Sequence, residues 1–111
     1  LSFDFDKYAG GGHYISAAEK KVLADNGIPF VIKAVRGPVH KFENEAFELT
    51  VDVPNPETGD EEERVLSFTI GSGAESRDRM IAGMAEHFEG GGEAIKAKVE
   101  KVGRAFFLAP A

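Results

Sequence analysis

Between Phe47 and Val53 apolar and polar residues alternate without a break, with Phe47, Leu49, Val51 and Val53 on one side and Glu48, Thr50 and Asp52 on the other. Only an extended chain sends every second side chain to the same face, so this run is read as a strand with one buried face and one wet face. A sheet built from such strands must cover its apolar face, and the neighbouring elements indicate how. Phe30 to Val35 is an earlier apolar run, after which Gly37 and Pro38 open a loop or a bend. Pro54, Asn55, Pro56 and Gly59 make the turn after Val53, and Arg64 to Ile70 is a third strand with Leu66, Phe68 and Ile70 on one face.

The period then changes. Ser72 with Glu75 has the spacing of a capping box, and Met80, Met84 and Phe88 recur every four residues with Ile81 and Ala85 beside them. That is one buried helical stripe, ended by Gly90, Gly91 and Gly92. Ile95, Ala97 and Val99 alternate with Lys96, Lys98 and Glu100 in a fourth strand; Gly103 and Arg104 turn the chain, and Ala105 to Leu108 form a fifth. Upstream, Ser16 and Glu19 start a helix over about Ala17 to Asn26 that stops at Gly27, with Val22 and Leu23 as its apolar face. Phe3 and Phe5 alternate with Asp4 and Asp6 in an N-terminal arm broken by Gly10, Gly11 and Gly12.

The fold class expected is mainly β with two helices: a five-stranded OB-like barrel (β-β-β-α-β-β) over residues 28–111. Residues 1–27 supply an arm and a helix packed on that barrel. Three strands, a helix and two strands is the OB order, with the helix across one end of the barrel. A partly open antiparallel sheet with one helix on it gives the same string. The expected core joins Phe47, Leu49, Val51, Leu66, Phe68, Ile70, Met80, Met84, Ile95, Val99 and Phe106. One domain of 111 residues with a 42% hydrophobic share and nine Phe can build such a core.

Three segments, Phe47-Glu48-Leu49-Thr50-Val51, Arg77-Asp78-Arg79-Met80 and Lys101-Val102-Gly103-Arg104-Ala105-Phe106-Phe107, resemble small proteins of bacteriophages that infect actinobacteria. Some of those proteins look like single-stranded DNA-binding OB proteins. The resemblance implies a phage protein working in the cytoplasm of a bacterial host. No DNA-binding motif is matched residue by residue, so the resemblance assigns no site.

The residues themselves point away from catalysis. The chain has no cysteine, which excludes a disulfide framework and thiolate zinc sites. His13, His40 and His87 are scattered, none at a metal-ligand spacing from another. No Ser or Thr sits in a recognisable nucleophile elbow, so neither an enzyme nor a cofactor is expected. Gly71-Ser72-Gly73-Ala74-Glu75-Ser76 could cradle a phosphate, but it lacks a Walker lysine and carries Glu75 at the critical point. An ordinary strand-to-helix turn is the simpler reading. Arg77 and Arg79 in the first turn of that helix oppose its dipole and are expected to pair with Glu75 or Asp78. No apolar run approaches the roughly 20 residues of a spanning helix, and no signal peptide is visible.

Charge is unevenly placed. The chain carries −6 overall, while Glu57, Asp60, Glu61, Glu62 and Glu63 form an acidic run expected at a solvated hairpin tip. Lys96, Lys98, Lys101 and Arg104 against Glu100 leave the last eighteen residues at +3. OB folds bind oligonucleotides across their second and third strands, framed by the loops between strands 1 and 2 and between strands 4 and 5. Arg36, Lys41 and Phe42, with His40, fall in the first loop; Arg104 and Phe107, with Lys101 and Phe106, fall at the second. Lys33, Lys96 and Lys98 point outward. The expected nucleic-acid residues are therefore Arg36, Lys41, Lys96, Lys98 and Arg104 for phosphates, and Phe42 and Phe107 for stacking. Against this, Glu48 and Asp52 face outward on the second strand and no aromatic residue joins them. The alternative is a protein-binding module that engages a host or phage partner, or a second copy, through the acidic tip and an arm carrying Tyr8, His13 and Tyr14.

Overall fold

The computed structural model describes residues 14–41, 43–55, 58–71 and 73–111. The expectations for the arm before Tyr14, for Phe42, Pro56, Glu57 and Ser72, and for the Lys41 side chain lie outside what is described. The elements in chain order are α1 (Ala17–Asn26), β1 (Phe30–Lys41), β2 (Asn44–Pro54), β3 (Glu61–Thr69), α2 (Glu75–Glu89), β4 (Ile95–Val102) and β5 (Ala105–Pro110). The five strands form one antiparallel sheet in the order β3-β2-β1-β4-β5. The chain is thus mainly β with two helices, as expected, but the sheet is open rather than closed into the expected barrel. Among the described residues no ladder joins β3 to β5.

The apolar phase of each strand meets in one core. Phe30 and Ile32 of β1, Phe47, Leu49, Val51 and Val53 of β2, Leu66 and Phe68 of β3, and Ala97, Val99 and Leu108 of the β4–β5 hairpin are all buried. Ile70, Met84, Ile95 and Phe106 pack against them half-buried. Met80 is the exception: it is 46% exposed, on the rim of an open apolar pocket of about 180 Å³ shared with Met84, Ile95 and Pro110. The buried stripe of α2 runs through Arg77, Ile81, Met84 and Phe88 instead. A guanidinium takes the place on that stripe which the apolar spacing assigned to Met80.

Several boundaries differ from those read in the sequence. β1 does not stop before Gly37 and Pro38 but continues to Lys41, and the register shifts between Ile32 and Ala34 and between Arg36 and Val39 absorb the extra residues. A proline is tolerated in a strand where such an irregularity frees it from the ladder. Gly37 stands at φ 132°, and a Cβ there would lie 2.8 Å from the Ala46 carbonyl oxygen. Lys41 pairs with Asn44, so a tight turn replaces the expected loop between the first two strands. β3 begins three residues early: Glu61, Glu62 and Glu63 pair with Pro54, Val53 and Asp52 and belong to the strand, not to a hairpin tip. The turn proper is closed by Asn55, whose N–H donates to Asp60 O and whose carbonyl accepts from Gly59 N.

α1 has the expected bounds and both halves of its capping box, with Glu19 N donating to Ser16 Oγ and Ser16 N donating to Glu19 Oε1, each at 3.1 Å. Leu23 is buried, whereas Val22 is 45% exposed. Adjacent helical positions stand about 100° apart, so only one of the two can face the sheet squarely. α2 starts at Glu75 with Ala74 as N-cap and no side-chain cap, so the Ser72–Glu75 box does not define its start.

Candidate nucleic-acid interface

The two halves of the sheet's outer face differ sharply in charge balance. On the outer face of β1, β2 and β3 each cation with a described side chain faces a carboxylate. Lys33 Nζ lies 3.0 Å from Asp52 Oδ1 and also binds Glu63, and Arg36 Nη1 lies 3.4 Å from Glu48 Oε1. The hydrogen bond to Glu63, then that to Asp52, raises the Lys33 ammonium above its ordinary value. Glu48 was expected to face solvent, yet it is 8% exposed; Tyr14 Oη donates to its Oε2 at 2.8 Å. That bond to a carboxylate, with burial and the negative charge, raises the Tyr14 phenol above its usual range. Tyr14 thus brings to this face an aromatic ring that strand alternation did not foretell, because it arrives from outside the sheet sequence. Arg36, largely exposed, stands on an acidic surface, and three carboxylates there oppose a polyanion.

The β4–β5 hairpin is different. Lys96, Lys98 and Glu100 occupy the outer face of β4, and Phe107 stands opposite Glu100 and diagonal to Lys98 on β5. Cross-strand diagonals of this kind bring a long side chain within reach of a ring. Phe107 is half-buried, on the face away from the core. Lys98 has one carboxylate partner, Glu100, at 4.0 Å. Lys96, Lys101 and Arg104 are exposed and take part in no ion pair among the described residues, and the same holds for Arg79 of α2.

Of the residues expected from sequence, the fold therefore brings together Lys96, Lys98, Arg104 and Phe107. It does not bring Arg36 or Lys41 to them. β1 and β4 run antiparallel, with Phe30 opposite Ala97, so the β1–β2 turn and the β4–β5 turn lie toward opposite ends of the sheet. Lys101, set aside in the expected list, lies on the same hairpin.

The other candidates resolve locally. The amides of Gly71 and Gly73, which could have cradled a phosphate, donate to Asp78 Oδ2 at 3.3 Å and Glu75 Oε2 at 3.0 Å. The chain's own carboxylates fill that place. His40 lies exposed on β1, while His87 Nε2 meets Glu93 O at 2.7 Å on α2, so these two share no site. Arg77 does pair with Asp78, at 3.0 Å, but as a buried residue rather than a surface one.

No helix among the described residues is long and apolar enough to cross a membrane. Comparison with known protein families, curated proteins and solved structures finds no match to the chain.

Proposed function

We propose that the chain is a non-enzymatic binding module of the OB type that takes single-stranded nucleic acid along the outer face of its β4–β5 hairpin. The strand order β3-β2-β1-β4-β5, with α2 between β3 and β4, supports the OB reading, since it is the order in which OB strands follow one another around a partly open barrel. The observation that carries the ligand is the concentration of cations on that hairpin around Phe107, three of them in no ion pair among the described residues and Lys98 paired only at 4.0 Å. A single strand needs cations that follow its phosphates and a ring on which a base can stack. Lys96 and Lys98 supply the first from that face, with Arg104 at the turn and Lys101 on the other phase of β4 beside it, and Phe107 supplies the second. From Lys96 to Val102 the strand is about 20 Å long, enough for a few nucleotides.

The test is an anisotropy titration of a labelled oligothymidylate at several salt concentrations. Affinity should fall steeply with salt, with a slope of about −2 to −3 for three or four phosphate contacts on a single strand. Lys98→Ala should weaken binding and flatten the slope by about 0.7, whereas Arg36→Ala should leave the slope unchanged. A folded protein with no measurable affinity at low salt would defeat the proposal. It would favour instead a module that binds a host or phage protein, or a second copy, through the acidic first half of β3.

A further inference from the structure

The seam between β3 and β5 is crossed by a buried guanidinium. Arg77, 7% exposed, donates from Nη2 to Thr69 O of β3 at 2.7 Å and from Nη1 to Phe106 O of β5 at 3.0 Å. Its charge is balanced by Asp78, whose Oδ1 accepts from Nε at 3.2 Å and Nη2 at 3.0 Å, and the guanidinium lies 4.9 Å from the Phe68 ring centre. One side chain of α2 therefore ties together the two edge strands that the backbone leaves apart. A buried charge is expensive unless it is paired and fully hydrogen-bonded, so a guanidinium in this place signals a demand for direction that an apolar residue could not meet.

The attachment of the β4–β5 hairpin shows what that demand is. Its backbone link to the rest of the sheet is short: β4 pairs with β1 only through Ile95, Lys96 and Ala97 against Ile32, Val31 and Phe30. By contrast β2 and β3 pair from Ala46–Thr69 to Pro54–Glu61. Burial of Val99 and Leu108 and the packing of α1 on β4 hold the hairpin on the core, but apolar burial has no direction and fixes no register. A planar fork aimed at one carbonyl on each strand does fix it.

We propose that Arg77 is a positioning residue, a latch that sets where the β4–β5 hairpin sits against β3 and so presents the Lys96, Lys98 and Phe107 face. Its consequence for binding rests on the single-strand reading above; its conformational role does not. Two measurements test it. In hydrogen exchange of the unaltered protein, the amides of Ile95 and Ala97, where β4 meets β1, should open more readily than those of Leu49 and Leu66 in the β2–β3 ladder. In Arg77→Lys, whose single ammonium cannot serve both carbonyls in the same fork, Ile95 and Ala97 should exchange about tenfold faster or more, with Leu49 and Leu66 unchanged. That variant should also bind the oligothymidylate several-fold more weakly with the salt slope unchanged, since no phosphate contact is lost. Equal protection of both ladders in the unaltered protein, or a uniform change throughout the variant, would overturn the latch. Where the unaltered protein binds no oligonucleotide, the ligand reading fails, and exchange alone still decides the latch.

Discussion

Glu19 serves two structures at once. It closes the capping box of α1, and its carboxylate accepts from Arg64 Nη1 at 2.8 Å and Nη2 at 3.0 Å, while the same Nη2 donates to Tyr14 O. The Arg64 hydrogen bond, against a smaller opposing effect of burial, lowers the Glu19 carboxyl below its ordinary value. The folded state therefore favours the ionised form, so the stabilisation is complete above the usual glutamate range of about 4.3 and is lost as pH falls through the lowered folded value. Gln can still close the box but carries no charge. Glu19→Gln should thus cost about 0.5 kcal/mol at pH 7, a modest figure because the carboxylate is 39% exposed and screened by water. Urea unfolding should show that gap closing as pH falls below the usual glutamate range, and a gap that persists in strong acid would refute the assignment. The box was legible in the sequence because both partners lie within one helical turn. The Arg64 contact was not, since it joins residues 45 apart that only the finished sheet brings together. Arg77 was misread for a related reason: apolar periodicity scores Met80 and passes over a charged residue, although the charged one lies inside.

Among the elements, α1 shows how a correct boundary can hide a role. Its limits and caps follow from local chemistry, but its task follows from where it lies, packed against β4 with Lys20 and Glu19 reaching the edge strand β3. On β3 the carbonyls of Val65, Ser67 and Thr69 accept in turn from Ile15 N, Lys20 Nζ and Arg77 Nη2. Lys20 also stands over the rings of Phe68 and Phe106, at 5.0 and 6.0 Å. An uncovered edge of this kind is an invitation to pair with another chain, and a backbone bridge at Tyr14–Ile15 together with one cation from each helix removes it in place of a fifth ladder. That open seam is what turned the expected barrel into a sheet. β1 shows the opposite case, a boundary misread because glycine and proline usually mark loops. Here Gly37 is required by close approach, its φ of 132° and the Ala46 carbonyl leaving no room for a Cβ. Gly37→Ala should therefore destabilise the fold by about 1–3 kcal/mol, the cost of a strained backbone position. A shift of the urea midpoint corresponding to less than half of the lower figure would show that β1 yields instead.

Across the whole molecule, acid and base are sorted to opposite edges of one sheet: Glu61, Glu62 and Glu63 on β3, Lys96, Lys98 and Lys101 on β4 beside β5. This polarity was legible, because each edge is a hairpin and a hairpin is continuous in sequence. The interface was only half legible, because which cations remain unneutralised depends on pairings such as Lys33 with Asp52 and Glu63 that cross three strands. The same layout has a kinetic side. β1, β2 and β3 form a meander from Phe30 to Thr69 in which each strand pairs with the next, while the junction of Phe30 with Ala97 must close a long stretch of chain for three residue pairs. Loop closure is paid before distant contacts return anything, so the meander should nucleate and the second hairpin should join it late. In stopped-flow folding, Leu49→Ala and Leu66→Ala should slow refolding, whereas Leu108→Ala should act mainly by speeding unfolding. A Leu108 variant that slows refolding as much as the other two would reverse that order. An intermediate on this route would own its acidic edge before its basic one, so a half-folded molecule would repel the very polymer that the finished one is proposed to hold.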